Sequence, residues 1–134
     1  MAPTGRSGGD GVRQIGTLDA SLIAGKWQNV RQNVVLTDER IAHIMEGHRA
    51  DYEAYGSYIA NAIEHPRYIL DDRKNDHTAL YIGTAKDTNI TVVIKVAVED
   101  SGANQNSSVI TMYRCGEKRL KRLVKNNVIL YKRE

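Results

Sequence analysis

The chain has 134 residues, with 19 Lys and Arg against 16 Asp and Glu for a formal charge of +3. That length supports one hydrophobic core and not two. The single cysteine, Cys115, excludes an internal disulfide framework and a four-cysteine zinc site, and no apolar run reaches the ~20 residues of a transmembrane helix. Residues 1–14 are rich in Gly and carry no apolar stretch of a signal peptide. They read as a flexible leader or linker remnant ahead of a single domain over 15–134. Residues 19–27 suggest a short helix capped by Asp19, with Leu22, Ile23 and Trp27 on one side. Val34, Val35 and Leu36 read as a short strand. Thr37 then caps a helix whose first turn carries Asp38 and Glu39, and Ile41, Ile44, Met45 and His48 recur at helical spacing. A second helix is expected over 51–64, striped by Tyr55, Tyr58, Ile59, Ala62 and Ile63 and stopped by Pro66.

From Tyr68 the period changes. Residues 68–70, 78–82, 89–98 and 109–113 read as strands, joined by polar, turn-rich connections at 71–76 and 100–107. A short basic helix over 117–125 and a last strand over 128–131 complete the series. Helices first and a meander of strands afterward predict an α+β fold, its N-terminal helices packed on one face of a four- to five-stranded antiparallel sheet.

Charge is unevenly placed. Residues 36–72 hold eight acidic side chains against three basic ones, whereas residues 111–134 hold eight basic against two acidic. A basic C-terminal segment suits a phosphate backbone, and Lys118, Arg119, Lys121, Arg122, Lys125 and Lys132 are its candidate RNA-binding residues; a solvated basic helix has the same composition.

The histidines are His43, His48, His65 and His77. His43 and His48 stand five residues apart, roughly 140° around a helix, so they do not form the i, i+4 pair of a helical zinc site. His65 precedes Pro66 and suits a turn, and His77 reads as an exposed loop residue. Cys115, next to Arg114, is either a thiol of lowered pKa or an inert strand-end residue. No phosphate-cradling Gly loop, nucleophile elbow or carboxylate cluster for a metal is visible, and no cofactor is expected. Metal-free RNA cleavage needs none of these. RNA brings its own 2′-hydroxyl nucleophile, so the protein supplies a base, an acid and cations for the crowded phosphorane. His43 and His48 on a helix, Thr111, Tyr113 and Arg114 on a strand, and Tyr131 on the last strand are residues of that kind. Strand alternation puts Thr111 and Tyr113 on one face and Arg114 on the other.

The stretch from Leu36-Thr37-Asp38-Glu39-Arg40-Ile41 through Ala42-His43-Ile44-Met45-Glu46-Gly47-His48 resembles a helix of LT…RxxHIxxxH type. Ile63-Glu64-His65-Pro66-Arg67-Tyr68-Ile69 follows it, then the strands containing Val92–Val96, Ile110-Thr111-Met112-Tyr113 and Val128-Ile129-Leu130-Tyr131. Over about residues 30–132 the chain is similar to the phage and mobile-element branch of the barnase–EndoU–colicin–RelE (BECR) nuclease superfamily. Gly47 stands where that pattern has Arg or another polar residue. The resemblance implies metal-independent RNA cleavage, often of tRNA, leaving a 2′,3′-cyclic phosphate. It places His43, His48 and Thr111 at catalytic positions, with Tyr113, Arg114 and Tyr131 as looser matches. A toxin-type ribonuclease also implies RNA and an acidic immunity or antitoxin protein as partners, no membrane, and action in the cytoplasm, after delivery from another cell or as part of a larger chain. The alternatives are a non-catalytic nucleic-acid-binding module and a protein-interaction module of a phage or mobile element.

Overall fold

The computed structural model describes residues 11–99 and 106–133. In chain order the elements are β1 (Val12–Thr17), a 3-10 turn (Ala20–Ile23), β2 (Asn33–Thr37), α1 (Asp38–Tyr55), α2 (Ile59–Glu64), β3 (Tyr68–Asp71), β4 (Thr78–Ala85), β5 (Thr88–Lys95), β6 (Ser107–Cys115), α3 (Glu117–Asn126) and β7 (Val128–Lys132). The strands form one seven-stranded sheet in the order β1-β2-β6-β5-β4-β3-β7. It is mixed: β2 runs parallel to β6, through Val34 opposite Ser107 and Val35 opposite Ser108, and the other pairs are antiparallel.

The expected four- to five-stranded antiparallel sheet is therefore corrected to seven mixed strands. Strand β1 begins at Val12, inside the stretch read as a leader, and residues 1–10 lie outside the described part. Its sequence, with Gly11 and Gly16 around exposed side chains, carries little strand signal; pairing with β2 makes it a strand. The short helix expected over 19–27 is a single 3-10 turn, with Asp19 accepting from Ser21 N at its start as anticipated. Of the connection expected over 100–107, the described part is its last two residues, and Ser107 already belongs to β6.

The two expected helices meet differently. Thr37 caps α1 as read, its Oγ1 accepting from Arg40 N at 3.1 Å. The helix breaks at His48, whose φ of −140° and ψ of 42° are not helical, close to its expected end; helical turns resume directly beyond this kink, earlier than the expected start at Asp51, and carry α1 to Tyr55. The stripe read over 51–64 is split between the end of α1, a 3-10 turn at Gly56–Tyr58, and α2.

The sheet is covered on both faces, and this is a second correction. On one side, Ile44 of α1 and Ile59, Ala62 and Ile63 of α2 pack against Ile69, Ala79, Tyr81, Ile90, Val92, Ile94 and Met112. On the other side, α3 lays Leu120, Leu123 and Val124 against Leu70, Leu80, Ile82 and Cys115. Alternation along β4 produces this arrangement: Ala79 and Tyr81 face one layer, and Leu80 and Ile82 the other. At Gly83 the α2 backbone comes so close that an added Cβ would lie 2.7 Å from Ala62 Cα. A side chain there would push the helix off the sheet.

Candidate active site

The candidate site lies on the α3 side of the sheet, where that ten-residue helix ends and leaves part of the face open. Tyr113, Leu80 and Val93 line a cleft of about 550 Å³ together with Leu123, Asn126 and Asn127 from the end of α3 and Asp72, Arg73 and Lys74 from the β3–β4 loop. The loop is tied down. Asp72 Oδ1 accepts from Lys74 N at 2.9 Å, and Asp72 Oδ2 accepts from the Asn75 amide at 3.0 Å. Arg73 N donates to Asn127 Oδ1 at 3.2 Å, while Asn127 Nδ2 donates to Leu123 O at 3.0 Å. These bonds fix two cationic residues beside the cleft on a held backbone.

Tyr113 joins three elements. Its ring stands 5.6 Å from that of His48 on α1, tilted by 37°, and the Arg119 guanidinium of α3 lies 4.2 Å from its centroid. The latter is a cation–π contact. His48 reaches Tyr113 because β2 accompanies β6 only as far as Ser108, so α1 flanks the remaining edge of β6. Asp51, one turn beyond the kink, accepts from the Arg114 backbone N–H at 3.0 Å through Oδ2. That edge donor would otherwise lack a strand partner.

Burial raises the Tyr113 hydroxyl above the ordinary tyrosine range, and the Arg119 charge acts in the opposite direction. The phenol therefore stays protonated at neutral pH and is available as a proton donor. Beneath it, Thr91 pairs with Tyr113 across β5 and β6, and its fully buried Oγ1 makes no hydrogen bond of good geometry among the described residues. Cys115 is buried too, and burial raises rather than lowers its thiol pKa, which favours the inert strand-end residue over the activated thiol.

The other residues singled out in the sequence divide by face. Thr111 stands opposite Val93, two residues before Tyr113 and on its face. Tyr131 pairs with Ile69 and packs on the α1–α2 layer, so the sheet separates it from the cleft. The Arg114 side chain is exposed on the face opposite Tyr113; its backbone, not its guanidinium, meets α1. His43 is exposed, with Nδ1 3.9 Å from Glu46 Oε1, and is not brought to Tyr113. His65 ends α2, and His77 stacks on Trp27 at 6.3 Å between centroids. Of the basic residues, Arg119 joins the site and Lys121 and Lys125 line a separate groove. Lys118 and Arg122 are exposed on α3, and Lys132 is exposed on β7. Sequence reasoning missed Arg73 and Lys74, which it took as ordinary turn residues, and Asp51, whose partner lies 63 positions away. Among the described residues no group of three or more His, Cys, Asp or Glu is placed to hold a metal ion, and no helix is long and apolar enough to cross a membrane.

A family model described as phage-Barnase-EndoU-ColicinE5/D-RelE like nuclease2 matches residues 12–132, nearly the whole chain. No curated protein and no solved structure matches it significantly.

Proposed function

Because the chain belongs to the phage barnase–EndoU–colicin E5/D–RelE-like nuclease family, we propose that it is an endoribonuclease that works without a metal ion at the Tyr113 cleft. The observation that carries this reading is the convergence of His48, Tyr113 and Arg119 from three separate elements beside an open cleft with two further cations. Imidazole is the side chain whose protonation changes most readily near neutral pH, which suits it to take the 2′-hydroxyl proton. The 2′-oxygen then attacks phosphorus, and the bond from phosphorus to the 5′-oxygen breaks. Tyr113 donates its phenolic proton to that leaving oxygen. The products are a 2′,3′-cyclic phosphate and a 5′-hydroxyl, and the proton on His48 returns to Tyr113 through solvent. Arg119, Arg73 and Lys74 offset the charge gathering on the phosphorane oxygens. In this reading Thr111, on the same face as Tyr113, contacts the substrate and moves no proton.

The test is incubation with total tRNA and with mRNA in the presence of EDTA, wild type beside His48→Ala, Tyr113→Phe and Thr111→Ala. Discrete fragments ending in a cyclic phosphate are expected, lost in His48→Ala and reduced by about 10²–10⁴-fold in Tyr113→Phe, the usual range for losing a general acid. Full cleavage by His48→Ala would remove that residue from the mechanism. An RNA mobility shift without cleavage by folded wild type would reduce the protein to a binding module.

A further inference from the structure

Helix α3 is a ridge with a groove on each side. Leu123 and Asn126 face the cleft, whereas Leu120, Lys121, Val124 and Lys125 border a second groove of about 310 Å³ together with Arg67, Tyr68 and Glu117. A further depression of about 290 Å³, lined by Lys86 and Arg133 among others, shares Arg67 and Glu117 with it. Arg67 is the fixed point between the two. Its Nη1 donates to Asn89 Oδ1 and to Glu117 Oε2, both at 3.1 Å, while the Asn89 amide donates to the same Glu117 oxygen at 2.8 Å. Those hydrogen bonds hold the Glu117 carboxyl below its ordinary pKa, so it stays ionised and committed to this network. Both Arg67 bonds use Nη1, and among the described residues Nε and Nη2 carry no hydrogen bond. A held guanidinium with donors to spare, beside lysines on α3, recognises an oxyanion.

We propose that this groove is a second phosphate-binding subsite, holding the backbone of the same single RNA strand whose scissile phosphate occupies the cleft. The identity of the strand rests on the nuclease reading above; the anion chemistry of the groove does not. A helix is about 10–12 Å across with its side chains, so a strand engaging both sides must bend over α3. A flexible single strand does so, whereas a stiff A-form duplex does not enter both grooves. The substrate class is therefore single-stranded or looped RNA, held on both sides of the ridge.

The experiment measures fluorescence anisotropy with 2′-O-methyl oligouridylates of two and ten nucleotides, whose blocked 2′-oxygens prevent cleavage. Wild type is compared with Lys121→Ala/Lys125→Ala, both exposed positions, and with Arg67→Lys, each checked for folding by circular dichroism. Wild type is expected to bind the ten-mer at least tenfold more tightly than the dimer. In the double variant that ratio falls toward one, and the slope of log affinity against log salt falls by about 1.4, or about 0.7 for each lost single-strand phosphate contact. Arg67→Lys loses part of the ratio, because an ammonium cannot reproduce the guanidinium fork. A double variant that keeps the wild-type ratio overturns the proposal. So does a ten-base-pair RNA duplex that binds more tightly than the single strand, or displacement of the ten-mer by polyglutamate at equal charge, which would assign the groove to an acidic protein. If wild type cleaves no RNA yet the length-dependent ratio depends on Lys121 and Lys125, the subsite is supported and the nuclease reading fails by itself.

Discussion

The Asp51 carboxylate offers a direct test of how the site is assembled. It lies three residues after His48, and its bond is to the backbone of the residue that follows Tyr113. One contact therefore ties the kinked part of α1 to the strand carrying the other half of the site. A hydrogen bond to a charged acceptor contributes about 1.5–3 kcal/mol, and at this half-exposed edge water replaces part of it, leaving about 1 kcal/mol for Asp51→Ala. The loss in activity is expected to be larger than the loss in stability. Once α1 is free to move by about 1 Å against β6, the His48–Tyr113 pair drifts from its working geometry, and such misplacement costs on the order of 10²-fold in rate. Single-turnover cleavage beside urea denaturation separates the two effects. Asp51→Asn, which keeps an oxygen acceptor, is expected to restore most of the rate while Asp51→Ala does not. Equal rates for Asp51→Ala and wild type, or equal losses for Asn and Ala in stably folded protein, would refute the positioning argument.

Two further predictions concern the core. Gly83→Ala places a methyl group against the Ala62 backbone, which cannot swing aside, so a loss of about 1–3 kcal/mol in urea unfolding is expected; an unchanged midpoint would show that α2 is less tightly seated. The Tyr81 hydroxyl is buried without a hydrogen-bond partner among the described residues, and burial, with the Asp19 charge adding to it, raises its pKa far above the ordinary tyrosine value. The folded pKa exceeds the unfolded value of about 10, so the contribution of the neutral phenol is fully present below pH ~10 and is lost as pH rises toward the folded value. Tyr81→Phe is therefore expected to gain about 1 kcal/mol at neutral pH by removing the unpaired hydroxyl, and to resist alkaline unfolding better than wild type. A lower urea midpoint for Tyr81→Phe at pH 7 would mean that the hydroxyl has a partner, such as bound water.

Local signals carried much of the fold. The Thr37 cap, the stop at Pro66 and the β-branched runs of β4, β5 and β6 are properties of a few adjacent residues, and each element they announce is present. What was not legible depends on distant partners. β1 has no periodicity of its own and is ordered by β2. The helical stretch that resumes beyond the break at His48 is tied to β6 through Asp51 and the Arg114 backbone, a contact between distant residues. The placement of α3 on the opposite face was readable in principle. The run Ala79-Leu80-Tyr81-Ile82 is apolar on both strand faces and so demands a cover on each, but a single covered face was assumed. The candidate site divides in the same way. Chemical type singled out His48 and Tyr113, whereas their meeting across α1 and β6, and the contribution of the β3–β4 loop, are consequences of topology.

The same topology explains why the site lies where it does. β6 has β2 beside it for only two residue pairs, so most of its far edge is available to α1; a full-length partner strand would have kept His48 away from Tyr113. On the opposite face, α3 spans about 15 Å at 1.5 Å per residue, too short to cover the sheet as far as the β3–β4 loop. Its last turn therefore leaves Tyr113 and Val93 half-exposed at the floor of a cleft, beside the buried edge of Leu80. An incompletely paired strand brings His48 to Tyr113, and an incompletely covered face leaves the cleft open. Lengthening α3 by one turn ahead of Asn127 should consequently displace the loop-anchoring Asn127 bonds and abolish cleavage while the core on the α1–α2 side remains intact. Near-UV circular dichroism of Trp27 and Tyr81, both in that core, would report its integrity, and retained cleavage would show that the cleft is not the active site.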